Sequence, residues 1–142
     1  MKKITKREPK SARDGIGKPV ALSKNSAPLK ACYIPEALKL HLSFLHETLP
    51  RFSVAPAVVH SKTEELIYIT NGRVTAFMND KKISLKKGEY LVIPAGTTHQ
   101  FETENDGMEA VSVLVPPIDP ANPDATVMPT QRMPGKKSRT TE

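Results

Sequence analysis

Apolar and polar positions alternate with a period of two through the middle of this chain, in short runs broken by turn residues. Leu40, Leu42 and Phe44 alternate with His41, Ser43 and Leu45, which predicts a strand with the first three on one face. Leu66–Thr70 is β-branched and aromatic, and it runs into Asn71-Gly72, a strong hairpin signal. Val74–Met78 follows, then Asn79-Asp80 and a short strand through Ile83 and Leu85. Tyr90–Ile93 ends at Pro94, His99–Glu102 alternates again, and Asp106-Gly107 turns into Met108–Val115. About eight strands, with turn signals roughly every 8–12 residues, predict an all-β sandwich or barrel. Pro35–Leu38 is the one plausible helical turn.

Composition sharpens this picture. The chain has 142 residues and 13 prolines, which suits one domain and not a long helical bundle. A single cysteine, Cys32, excludes an intrachain disulfide and a thiolate zinc cluster and reads as a small buried hydrophobe. No apolar run is long enough to span a membrane as a helix. The start, MKKITKREPK, is charged without an apolar stretch behind it, so the expected location is the cytoplasm.

The net charge of +6 is carried by the ends: +7 over residues 1–30, +3 over 131–142 and −4 between them. That distribution fits solvated basic tails and disfavours a nucleic-acid groove, which would concentrate basic residues on the folded face. Three regions are therefore expected. Residues 1–30 form a basic arm, partly disordered, in which Val20–Leu22 adds at most one strand. Residues 31–120 form the β-domain. Residues 121–142 continue a proline-rich wrap that passes into a basic tail.

Two stretches carry the candidate chemistry. In A-V-V-H-S-K-T-E-E-L-I-Y-I-T-N-G, residues 57–72, His60 ends one strand and Glu65 starts the next. A reversal at Ser61–Thr63 would bring imidazole and carboxylate together. In G-E-Y-L-V-I-P-A-G-T-T-H-Q-F, residues 88–101, Gly88 turns the chain and Pro94-Ala95-Gly96 make a tight corner. His99 is then delivered to a fixed place at the start of the return strand.

With these residues in view, the chain resembles the cupins, the jelly-roll β-barrel superfamily. His60-x4-Glu65-x6-Gly72 matches the latter part of the first cupin motif, G-x5-H-x-H-x3–4-E-x6-G. Gly88, Pro94, Gly96 and His99 match the second, G-x5-P-x-G-x2-H-x3-N, in register. Three positions depart from the pattern: Val58 stands where the first histidine would fall, Phe52 where the opening glycine would, and Thr103 where the closing asparagine would. The resemblance covers about residues 40–116 and implies a cupin-type jelly roll.

It also implies a metal site on His60, Glu65 and His99. Two histidines and a carboxylate match the facial triad of non-haem iron and would equally suit a catalytic zinc. The expected cofactor is a divalent transition metal: iron, manganese, zinc or nickel. The implied function is dioxygenase-, decarboxylase- or isomerase-like chemistry on a small polar molecule, with no catalytic acid or base identifiable. The alternative is a non-enzymatic cupin that binds a sugar or carboxylate without a catalytic metal.

The remaining expectations follow from strand phase. Val58, Ile67, Ile69 and Phe101 share the phase of the ligands and should line the cup; a small barrel packed solid is the other possibility. His46 keeps the phase of Leu40, Leu42 and Phe44, and should point inward as a further ligand, a substrate contact or a core residue. Lys62 should be a solvated loop lysine, Glu64 should face outward and His41 should face solvent or a subunit contact. Open sheet edges, and the Val20–Leu22 segment or the tail, point to a homodimer.

Overall fold

The computed structural model describes residues 19–20, 28–119 and 121–132. Ala21 and Leu22, and the outer parts of both expected tails, lie outside the described residues. Among the described residues, ten strands form in chain order: β1 Pro19–Val20, β2 Lys30–Tyr33, β3 Ser43–Leu49, β4 Ala57–His60, β5 Glu64–Met78, β6 Lys81–Lys86, β7 Tyr90–Ile93, β8 His99–Glu102, β9 Met108–Val115 and β10 Ala125–Met128. Every pairing is antiparallel, in the order β1-β2-β3-β9-β5-β8-β4-β10, with β6 and β7 also on β5. The all-β jelly roll expected from the sequence is therefore the observed fold. No helix among the described residues is long and apolar enough to cross a membrane.

The wall curls because β5 serves two layers. Its first half pairs with β7 and β9, and its second half with β6 and β8. The handover lies at Asn71-Gly72, where the register against β9 shifts between Ile69 and Asn71. This corrects the expected hairpin: Asn71 and Gly72 lie inside a 15-residue strand. The positive φ of +77° at Gly72 serves a bulge as readily as a turn, and the pairing decides between them: Asn71 and Gly72 lie opposite Glu109 and Met108 of β9, and the strand continues against β6 from Arg73. The hairpin falls instead at Asn79-Asp80, whose φ values of 44° and 64° suit a two-residue turn with both centres left-handed.

The segment before β3 also differs from the expected strand. Pro35–Leu40 is a 3₁₀ helix, ended by His41 in the left-handed region, and Leu40 is 70% exposed. His41 is exposed, and it resets the phase, so that Ser43, Leu45, Glu47 and Leu49 point inward while Phe44, His46 and Thr48 face the other way. His46 is thereby placed on the outer face. The pattern misleads because two of the four inward residues, Ser43 and Glu47, are polar.

Among the described residues, the interior holds two apolar clusters. The larger contains Leu49, Ile67, Ile69, Ile93, Phe101 and Met108 with smaller neighbours, and the other contains Ala31, Tyr33, Leu45, Leu114 and Ile118. β10, from the proline-rich wrap, pairs along β4 in full register, Ala125 opposite His60 through Met128 opposite Ala57. That pairing brings the wrap to the histidine at the end of β4.

Candidate metal centre

His60 closes β4, and the reversal at 61–63 is held from outside the motif. The Asp124 carboxylate accepts the Lys62 and Thr63 amides at 2.9 and 3.0 Å and faces His60 Nδ1 at 3.2 Å. Burial pushes the Asp124 carboxyl up, but the Lys62 amide, His60 and Thr63 together hold it below its ordinary value. Only the main-chain amide of Lys62 takes part in this contact, and the residue is otherwise exposed. Glu64 is exposed and Glu65 buried, as the alternation of β5 requires.

The second motif delivers His99 through the corner Pro94–Thr97, closed by the Thr97 amide on the Pro94 carbonyl at 3.2 Å. Gly88 and Gly96 take φ values of 88° and 78°. The Gly96 amide donates to the His60 carbonyl at 2.7 Å, so the two motifs are joined by backbone. His99 Nδ1 donates to the Thr97 carbonyl at 3.1 Å.

His60, Glu65 and His99 converge. Each offers one ligand atom, and these atoms lie within 4.8 Å of one another. All three residues are at most 4% exposed. The two imidazoles stack at 5.6 Å with 28° between their planes, and Phe101 meets the edge of His99 at 5.7 Å. His99 Nε2 stands 3.5 Å from Glu65 Oε2, and that oxygen accepts no hydrogen bond. Burial lowers the His99 pKa; the Glu65 charge and the Thr97 carbonyl oppose the shift, and His60 adds to it. The ring is thus neutral, with a lone pair available, to lower pH than an ordinary histidine.

These donors fit a divalent transition metal. Both histidines turn Nδ1 to an acceptor, Asp124 or Thr97, which favours the tautomer that carries its proton on Nδ1 rather than Nε2. Glu65 supplies an unpartnered oxygen beside them. Val58 pairs directly with His99 across β4 and β8 and stands on the same face, so the position that would bear a further histidine carries an apolar group. His46 is remote from this face, opposite Cys32 and Val111 on the outside of the sheet.

Ile67, Ile69 and Phe101 are packed in the larger apolar cluster at 0–4% exposure. Thr103, at the closing position of the second motif, accepts the Ser53 amide at 3.0 Å and donates to the Pro50 carbonyl. Phe52, where the first motif would open with glycine, adopts φ 54°, the left-handed backbone that a glycine would take without strain.

A family model for the cupin domain matches residues 45–116, half of the chain. The chain belongs to the cupin family. Within it, 57 residues of this cupin are 32% identical to quercetin 2,3-dioxygenase of Bacillus subtilis (strain 168). That stretch is 40% of this chain and 17% of the dioxygenase, so the chain spans well under two thirds of that relative. Among solved structures, a predicted oxalate decarboxylase of Thermotoga maritima is 20% identical with a TM-score of 0.60, over 71% of this chain and 93% of its own. Streptomyces PAC13 with uridine is 12% identical with a TM-score of 0.67, over 87% of this chain and 92% of its own. Both share the fold of this cupin.

Sequence reasoning missed Asp124 and Glu47. Asp124 reaches His60 from 64 residues away, through a proline-rich stretch with no periodicity to read. Glu47 is 1% exposed on the inner face of β3, and neither of its carboxylate oxygens has a hydrogen-bond partner. Burial, and then the charge of Glu65, push its pKa well above the ordinary carboxylate range. Ser112 opposes that rise, although the two side chains form no hydrogen bond of ordinary geometry.

Proposed function

We propose that this cupin holds iron, manganese, zinc or nickel on His60 Nε2, Glu65 and His99 Nε2 and acts on a small polar molecule. The observation that carries the reading is the orientation of the two imidazoles. Each spends Nδ1 on an outer acceptor and keeps Nε2 for the centre, beside an orphan carboxylate oxygen. When bound, such an ion supplies Lewis-acid or, for the redox-active metals, electron-transfer chemistry. The chain itself sets ligand orientation through Asp124 and Thr97 and walls the centre with Phe101. Three protein ligands, with Val58 in place of a fourth, leave room for a substrate group. The reaction type stays within dioxygenation, decarboxylation or isomerisation, since one fold hosts all of them.

The role of Asp124 tests this reading. Asp124→Asn keeps an acceptor for the loop amides and removes the charge that sets the His60 tautomer. The expected result, by titration with Zn2+ or Mn2+, is affinity lower by about 10–100-fold with the fold retained. Equal affinity in the two proteins would contradict the assignment.

We further propose that two copies pair through the outer face of β3, β9, β5 and β7. Leu66, Tyr68, Tyr90 and Val92 are 39–63% exposed there, and the register sets Leu66 beside Val92 and Tyr68 beside Tyr90. The four residues form an apolar patch, with Glu64 and Glu109 exposed elsewhere on the same face, and such a patch can meet its own copy across a two-fold axis. Sedimentation should show a dimer that Tyr68→Lys converts to monomer. A wild-type monomer at micromolar concentration would refute the pairing.

A further inference from the structure

Among the described residues, every buried side-chain polar atom without a hydrogen-bond partner belongs to Tyr33, Glu47, Glu65 or Ser112. All four residues point inward from one layer of the barrel. Their places follow from register. Ser112 on β9 lies opposite Leu45 on β3 and Ile67 on β5. Glu47 is two residues along β3 from Leu45, and Glu65 is two residues along β5 from Ile67. Glu47, Ser112 and Glu65 therefore form a diagonal across three neighbouring strands, with about 7–8 Å between successive positions. Tyr33 on β2 stands opposite Leu45 and diagonal to Glu47. The line starts at a ligand of the candidate metal centre and leads away from it along the inner wall.

Buried polar groups are expensive to leave unpaired, and a folded wall with several of them in a row is built for a partner of matching chemistry. The partner is constrained from two sides. A hydroxyl both donates and accepts, so it satisfies a carboxyl or a serine whichever role that group takes. A carboxylate ligand only accepts. No lysine or arginine is among the buried polar residues described, so a carboxylate seated at Glu47 and Ser112 would have no protein cation to pair it.

We propose that Glu47 and Ser112 form a specificity subsite that selects a neutral, polyhydroxylated ligand over a dicarboxylate. This subsite rests on the reading of the inner cup as a small-molecule site and names the class of molecule it takes. Glu47 receives ligand hydroxyls, Ser112 bridges them toward Glu65, and Tyr33 closes the far end. The class includes free sugars, linear polyols and the ribose of nucleosides.

The test is calorimetric titration of the full chain with D-ribose, xylitol and a ribonucleoside, and with oxalate and malonate. Metal content is measured on the same samples. Wild-type protein is expected to bind at least one neutral probe tenfold or more tightly than either dicarboxylate, and the preferred probe distinguishes sugar, polyol and nucleoside. Ser112→Ala and Glu47→Leu should each weaken that probe at least fivefold with metal content unchanged. Should Glu47→Leu fail to fold, Ser112→Ala and the wild-type preference decide. Dicarboxylates binding as tightly as the neutral probes, no neutral probe binding, or unchanged affinity in folded variants would overturn the subsite. Metal-free wild-type protein that still prefers the neutral probes would uphold it while refuting the metal reading. Metal-loaded protein without the preference would do the reverse.

Discussion

Replacing His99 with alanine is expected to abolish metal retention. The substitution removes one of the three proposed ligand atoms, and the two that remain, on His60 and Glu65, sit on different strands with no other metal-ligating group in the cluster among the described residues. His46 cannot move in, because its strand turns it to the outer face. The imidazole is also packed against His60 and Phe101, so a fold control is needed. His99→Gln fills more of the volume and should retain the strand while losing most of the affinity. Gel filtration after loading with Zn2+ or Mn2+ reads the result. Retention equal to wild type in His99→Ala would remove this residue from the centre.

The largest expected effect on stability lies at Gly72. A side chain there faces two costs. The left-handed backbone at φ +77° costs an L-residue roughly 1–2 kcal/mol. A Cβ would also lie 1.8 Å from the Gly107 carbonyl oxygen, so backbone must move on one side or the other. That carbonyl accepts the Arg73 amide at 3.2 Å, and the movement would strain the bond. Gly72→Ala should therefore destabilise the domain by about 3–5 kcal/mol, at the upper end for single substitutions. Gly88→Ala is the control. Its φ is +88°, but nothing lies within 4 Å of the added carbon, so only the backbone cost of roughly 1–2 kcal/mol applies. Denaturant unfolding of both variants gives the comparison, and equal losses would show that close approach at Gly107 is unimportant.

What the sequence made legible was local. The corner Pro94-Ala95-Gly96 and the reversal between His60 and Glu65 are set by residues within a few positions, and the structure brings the three side chains they carry within 4.8 Å of one another at their ligand-type atoms. The strands β7, β8 and β9 carry alternation and turn residues that agree with each other. The phase of β3 was illegible because a 3₁₀ helix and a left-handed His41 precede it, and because its inner face carries Ser43 and Glu47. A buried carboxylate reads as a solvent-facing one until its strand is placed. Asn71-Gly72 misled for a related reason: positive φ is a local property, whereas the choice between hairpin and bulge belongs to β9, more than thirty residues away. Asp124 depends on the pairing of β10 with β4, which no pattern near either residue announces.

The most direct test of the central claim is the metal content of the untagged full chain, purified without chelators, beside a His60→Ala/His99→Ala double variant. Elemental analysis should find iron, manganese, zinc or nickel near one ion per chain in the wild type and none in the variant. Wild-type protein that takes up none of these ions, even after anaerobic incubation with each, would contradict the assignment of His60, Glu65 and His99 as a metal centre.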